Sequence, residues 1–246
     1  IMQNLVEVKN LKKSYGLKEA VKGISFKIKD DEILGLLGPN GSGKTTTIGM
    51  MLGLLKPSNG EIIIDGKKIE DNRIEILKKI NFISPYIELP KKLTVKQNLI
   101  VYGKLYNVEN LDNRIDYLIN KLRLENLLNR VTGELSSGQK NRISLAKALI
   151  NDPSVLLLDE PTASLDPEIG DFVRTFLENY IKEKKISILL ASHNMNEVKR
   201  MCSSVLMMKD GSIIDKGHPN ELIKKHGRQN LEEVFLKLTR EKNELY

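Results

Sequence analysis

The chain has 246 residues, 40% of them hydrophobic and 29% charged, with a formal net charge of +7. That balance excludes a largely disordered chain, and its apolar runs are far shorter than the ~20 residues of a membrane-spanning helix. The single cysteine, Cys202, excludes an intrachain disulfide and points to a reducing cytoplasm; it is expected as a buried small hydrophobe. No secretory signal is expected, because the N-terminus lacks a basic start followed by an apolar block. The positive excess could suit nucleic acid or an anionic membrane surface. The lysines are spread along the chain, however, and aromatic residues are only 5%. A solvated surface is therefore the reading, and no nucleic-acid partner is expected.

In chain order, "LVEVKNLKKSYG" and "AVKGISFKIKDDEILGLLG" alternate or run apolar in short bursts and predict strands. A helix-like stretch runs from Thr45 to Leu55, after a glycine-rich segment. "GEIIIDGKKI" predicts a hairpin at its Asp-Gly turn, Arg73 to Lys79 a helix, and "INFIS" a strand. From Thr94 to about Ile150 the spacing is helical, with amphipathic segments "LTVKQNLIVYGKLY", "LDNRIDYLINKLRL" and "LSSGQKNRISLAKALI". Strands return at "SVLLLD", "ISILLAS" and "SSVLMMKDGSIIDKG", and the tail "NLEEVFLKLTREKNEL" predicts a charged helix. The pattern is an α/β core, residues 1–84 and 154–230, interrupted by a helical insert over 85–153 and followed by a C-terminal helix over 231–246.

"GPNGSGKTT" matches G-x-x-x-x-G-K-[ST] at Gly38, Gly43, Lys44 and Thr45, between a predicted strand and a predicted helix. Glycines let successive backbone N–H groups turn toward a phosphate chain, and the helix start adds a positive dipole end. Lys44 places a charge on the β- and γ-phosphates, and the Thr45 hydroxyl can ligate Mg²⁺. The alternative is a chance glycine-rich turn.

Val155 to Leu158 run straight into Asp159 and Glu160. Burying two adjacent carboxylates is costly unless something positive meets them. Asp159 is expected to hold Mg²⁺, directly or through water; an ordinary helix cap is the alternative.

Together these motifs resemble the ATP-binding cassette (ABC) ATPases. "LSSGQ" at Leu135 to Gln139 is similar to their signature motif, "LLLDEPTASLD" to their Walker B motif and D-loop, and "ASHNMNEV" to their switch-histidine region. The resemblance covers essentially the whole chain. It implies a P-loop NTPase (RecA-like) core with an N-terminal antiparallel β subdomain and an inserted helical subdomain. It implies ATP and Mg²⁺ as cofactors, with Thr45 and Asp159 on the metal. Glu160 would be the general base and His193 the γ-phosphate contact; a hydrogen-bonded core histidine is the alternative for His193. Tyr15 would stack on adenine, and Gly38, Pro39, Asn40, Gly41, Ser42, Gly43, Lys44, Thr45 and Thr46 would cradle the phosphates. Ser136, Gly138 and Gln139 would bind the nucleotide of a second copy or a paralogous subunit, and Asp166 would belong to the dimer-contacting D-loop. A simple N-cap would resemble Ser136, although a cap does not require the Gly-Gln that follows. His218 and His226 fit no motif and are expected at the surface.

Two positions depart from the family. Ser137 stands where the family usually has Gly, and Pro85 falls where its Q-loop Gln belongs; Gln97 is a poor substitute. Pro offers neither an amide nor a backbone N–H. "SPYIELP" is expected to be an extended, stiff segment whose Tyr86, Ile87 and Leu89 either contact a permease or pack a hinge. The resemblance is strongest to the ATPase subunits of ABC-2-type exporters, held at the cytoplasmic face of the membrane by a separate permease. An importer ATPase and a soluble non-transport ABC ATPase are the alternatives.

Overall fold

The computed structural model describes residues 4–85, 87–163 and 165–243. Two compact units emerge, residues 1–76 with 187–246, and residues 77–186.

In the first unit, β1 (Asn4–Tyr15) and β2 (Lys18–Lys29) pair antiparallel, and β1 also pairs with β4 (Asn59–Ile64). Alternation decides their faces. Val6, Val8, Leu11, Val21, Ile24, Phe26, Ile28, Ile62 and Ile64 are buried. On the polar face, the Lys9 ammonium lies 3.2 Å from Glu61 and the Lys27 ammonium 3.3 Å from Glu7. The predicted Asp-Gly turn is present, with φ of 51° at Asp65 and 73° at Gly66, and leads into β5 (Lys67–Lys68).

The same unit contains β3 (Ile33–Leu37), paired in parallel with β8 (Ser187–Ser192) and β9 (Ser204–Lys209). All five residues of β3 are buried, which is why it reads as an unbroken apolar run. Strand β10 (Ser212–Gly217) returns antiparallel to β9. Helices α1 (Lys44–Met51), α7 (Met195–Met201), α8 (Pro219–Lys225) and α9 (Leu231–Asn243) complete the unit. The last three residues of the expected C-terminal helix, 244–246, lie outside the described residues. Cys202 is 5% exposed, and burial pushes its thiol well above the ordinary range, as expected of an inert core cysteine.

One expectation is corrected here. His226 is not a free surface residue: its side chain is 12% exposed, and Nε2 lies 2.6 Å from Asp215 Oδ2, beneath a Lys225 ammonium 2.8 Å from Oδ1. His218 is exposed, and its Nδ1 accepts from Asn220 N at 3.2 Å to cap α8.

Helix α2 (Ile69–Lys79) carries the chain into the second unit. There β6 (Ile80–Ile83) and β7 (Val155–Asp159) pair in parallel. Helices α3 (Val95–Leu105), α4 (Leu111–Leu122), α5 (Ser137–Leu149) and α6 (Pro167–Lys184) surround a core that includes Leu99, Ile115, Leu118, Leu122, Ile143 and Leu177. The helical segment expected over 85–153 thus sits inside a larger compact unit that adds β6, β7 and α6. Gln97 has a purely local task. It completes a reciprocal cap with Thr94 at the start of α3, accepting from Thr94 N at 2.9 Å. Lys147 on α5 is buried with its ammonium 4.8 Å from the Phe82 ring centroid and 5.3 Å from that of Tyr102. Burial pushes its pKa down to about 8.

Candidate nucleotide-binding and catalytic site

Residues 38–43 link β3 to α1. Gly43 is the N-cap residue, with φ of 105°, and a Cβ there would come within 2.7 Å of the Ala20 carbonyl oxygen. Only glycine meets both demands. Among the described residues no side chain caps α1, and its first turn carries no acid. Its leading N–H groups are therefore available to an anion.

The loop is held in place from outside. Ser42 N donates to Pro39 O at 3.2 Å, Gly211 N to Ser42 O at 3.0 Å, and Lys22 N to Gly211 O at 2.8 Å. Lys44 is 5% exposed, and its ammonium donates to Gly38 O at 2.6 Å and Pro39 O at 3.1 Å. These two carbonyls hold the lysine back against the start of the loop. Pro39, Asn40 and Thr45 are exposed and Thr46 is half-buried. The Ser42 hydroxyl is buried without a hydrogen-bond partner among the described residues. An orphaned hydroxyl of this kind fits a site that a phosphate oxygen completes. Thr47, which sequence reasoning missed, anchors the first turn by donating to Gly43 O at 2.9 Å.

Tyr15 ends β1 and is 49% exposed, and the Lys13 ammonium lies 5.1 Å from the ring centroid. It presents a flat face suited to a base. His193 follows β8 and is exposed. The turn that carries it is locked: Ser192 Oγ donates to Glu197 Oε2 at 2.8 Å and accepts from Asn194 N at 3.0 Å, while Asn194 caps α7.

In the second unit Asp159 ends β7 at 2% exposure. Glu160 follows with φ of 51°. Left-handed backbone at a non-glycine residue costs on the order of 1 kcal/mol and gathers at functional positions. It breaks the extended backbone immediately after β7 ends at Asp159. The segment beyond is pinned to α5, because Asn141 Nδ2 donates to Pro161 O at 2.7 Å. Asp166 caps α6, its Oδ1 accepting from Ile169 N at 3.0 Å, with Pro167 in the first turn.

Ser136 caps α5. Its Oγ accepts from Gln139 N at 3.3 Å, and Gln139 Oε1 accepts from Ser136 N at 3.0 Å. The expectation that a cap has no use for the Gln is corrected: Gln139 is the other half of it. A Cβ at Gly138 would lie 2.4 Å from Ile169 Cδ1, so this glycine lets α5 and α6 approach. Pro85 follows β6 and is exposed, in a turn closed by Ile87 N donating to Ser84 O at 3.3 Å. The segment expected to be extended therefore turns at its start. Tyr86 and Ser164 lie outside the described residues.

The model of the ABC transporter family matches residues 21–163. The Nod factor export ATP-binding protein I of Burkholderia orbicola is 37% identical over 220 residues, 89% of this chain and 72% of that protein. Its counterpart in Rhizobium johnstonii is 38% identical over 221 residues, covering 89% and 70% of the two chains.

The chain belongs to the ABC transporter family.

Solved structures agree. An ATP-binding subunit of an ABC transporter superposes with a TM-score of 0.88 at 28% identity, over 96% of this chain and 99% of that one. A dimeric ATP-binding cassette in a post-hydrolysis state, bound to ADP and Pi, gives a TM-score of 0.80 at 27% identity, covering 87% and 98%. The fold is that of ABC ATPase cassettes, and this cassette is the ATP-binding, ATP-hydrolysing subunit of a transporter. Among the described residues no helix is long and apolar enough to cross a membrane.

Proposed function

We propose that this cassette powers an ABC-2-type exporter, bound at the cytoplasmic face of the membrane to a separate permease. In this reading it works as a head-to-tail pair, with a second copy or a paralogous subunit, closing on two molecules of Mg-ATP. The observation that carries it is the phosphate loop, with its uncapped helix start, Lys44 held against the loop and orphaned Ser42 hydroxyl. The export direction is supported by relatives named for Nod factor export, at 35–38% identity.

Lys44 and the N–H groups of 41–46 bind the β- and γ-phosphates, and Tyr15 stacks on the base. Thr45 and Asp159 are hard oxygen donors of the kind Mg²⁺ selects. Mg²⁺, when bound, neutralises charge on the phosphates. Glu160 takes a proton from the attacking water as its oxygen bonds to the γ-phosphorus and ADP leaves. His193 holds the γ-phosphate, and Ser136, Gly138 and Gln139 close on it from the opposing chain. Glu160→Gln removes the base and leaves the cradle intact. Hydrolysis should fall by roughly 10²–10⁴-fold, and light scattering should show a dimer only with Mg-ATP. A monomer in both conditions, despite bound ATP, would overturn the sandwich.

The Pro85 loop is the proposed contact with the permease. Ile87 is 49% exposed, which supports an apolar contact with a short partner helix over hinge packing. Ile87→Ala should leave the isolated subunit's ATPase rate near wild type and lower its stimulation by reconstituted permease. A joint fall in melting midpoint and basal rate would instead assign Ile87 to packing.

A further inference from the structure

A second surface, built from residues of α4 and α6 with Arg123 and with Arg142 of α5, includes none of the residues assigned to nucleotide. A cavity of about 270 Å³ opens there, lined by Phe172, Phe176 and Tyr180 with Lys121, Arg123 and Glu183 among the residues around them. Phe176 and Tyr180 stack with ring centroids 5.5 Å apart. Cations lie beside the two half-buried aromatic rings of this face, Phe172 and Tyr117. The Arg123 and Arg142 guanidinium carbons lie 5.1 and 5.9 Å from the Phe172 centroid. Arg114, Lys121 and Lys184 lie 5.3, 5.4 and 5.3 Å from that of Tyr117.

The acids of this face are already spoken for. Glu183 accepts from Lys121 at 2.8 Å and from the Tyr117 hydroxyl at 2.7 Å, and these partners, with Lys184 nearby, hold its carboxyl below the usual range. Asp152 accepts from Arg114 and from the Tyr180 hydroxyl, each at 3.1 Å. Arg123 has no carboxylate partner among the described residues. It closes α4 in the left-handed conformation, φ 53°, and is exposed at the mouth of the cavity. The face therefore keeps positive charge around an aromatic floor.

We propose that this cavity docks a partner-protein segment in which acidic residues flank one aromatic anchor. Sites that enclose whole small molecules run from ~300 to 1,000 Å³. This one falls just below that range and suits a single side chain. Aromatic anchors seated in pockets with a charged rim are the usual centres of protein interfaces. Arg123 meets the carboxylates, and Phe172 and Phe176 meet the ring.

The test uses the full chain and a fluorescent peptide with glutamates on both sides of one tryptophan. Anisotropy should show saturable binding that weakens as salt rises. Arg123→Glu should weaken it by about tenfold or more, as should replacing the peptide's tryptophan by alanine; ATPase activity should not change. Phe172→Ala, checked by its melting curve, should act like Arg123→Glu. Absence of saturable binding, or binding indifferent to Arg123→Glu or to the tryptophan, overturns the proposal. So does a single-stranded oligonucleotide that binds in an Arg123-dependent way more tightly than the peptide.

Discussion

Two helix starts in this protein face opposite ways chemically. Helix α1 begins with Gly43, carries no side-chain cap among the described residues and has no acid in its first turn. Helix α5 begins with a full reciprocal cap between Ser136 and Gln139. The first leaves its leading N–H groups open to an anion; the second is capped within the chain. The difference matches the division of labour proposed for them. A chain that holds its own nucleotide can leave N–H groups open at that place. A surface that meets nucleotide only in a dimer must be stable alone. The cap observed at Ser136 is compatible with the phosphate contact proposed for it, because a hydroxyl that accepts from Gln139 N–H keeps its own proton to donate.

Breaking the open start should have the largest effect. Lys44→Ala removes the only charge that the loop itself supplies to the phosphates. ATP affinity should fall about a hundredfold, ~3 kcal/mol, with little change in melting midpoint, since an exchange of a buried ammonium for a methyl also removes its burial cost. A calorimetric dissociation constant equal to wild type would refute the cradle. Next comes the packing beneath the closed start. Gly138→Ala puts a Cβ against Ile169 Cδ1 and should destabilise the protein by about 1–3 kcal/mol, read as a lower midpoint in denaturant. An unchanged midpoint would mean that α6 yields freely. The smallest effect belongs to the cap. Ser136→Ala should cost about 1 kcal/mol of stability and leave ATP binding by the monomer intact while abolishing the ATP-dependent dimer. If it weakens monomeric ATP binding as Lys44→Ala does, the contrast between the two helix starts is wrong.

Much of this site was legible because it is local. Gly38 to Thr45 need only the right spacing between a strand and a helix, and Asp159 with Glu160 need only a strand end. What escaped notice lies in reach across the chain. Helix α6 carries an ordinary start signal in Asp166-Pro167, yet its periodicity was not singled out, and with it went the aromatic floor of Phe172, Phe176 and Tyr180. His226 looked like a surface residue because Asp215, its partner, sits eleven positions away on a different element. Gln139 looked like a ligand alone, because a capping residue and a motif residue are the same letter.

By itself the sequence determined the α/β class, most of the strands, the phosphate-loop motif and the family, since each rests on residue type and short spacing. Only the tertiary structure decided that Glu160 takes a left-handed backbone, that Gly138 is the close approach of α5 to α6, and that Arg123, with no carboxylate partner among the described residues, stands over Phe172. Those depend on which side chains meet after the chain has folded, and on which charges are left without a partner once the others have paired.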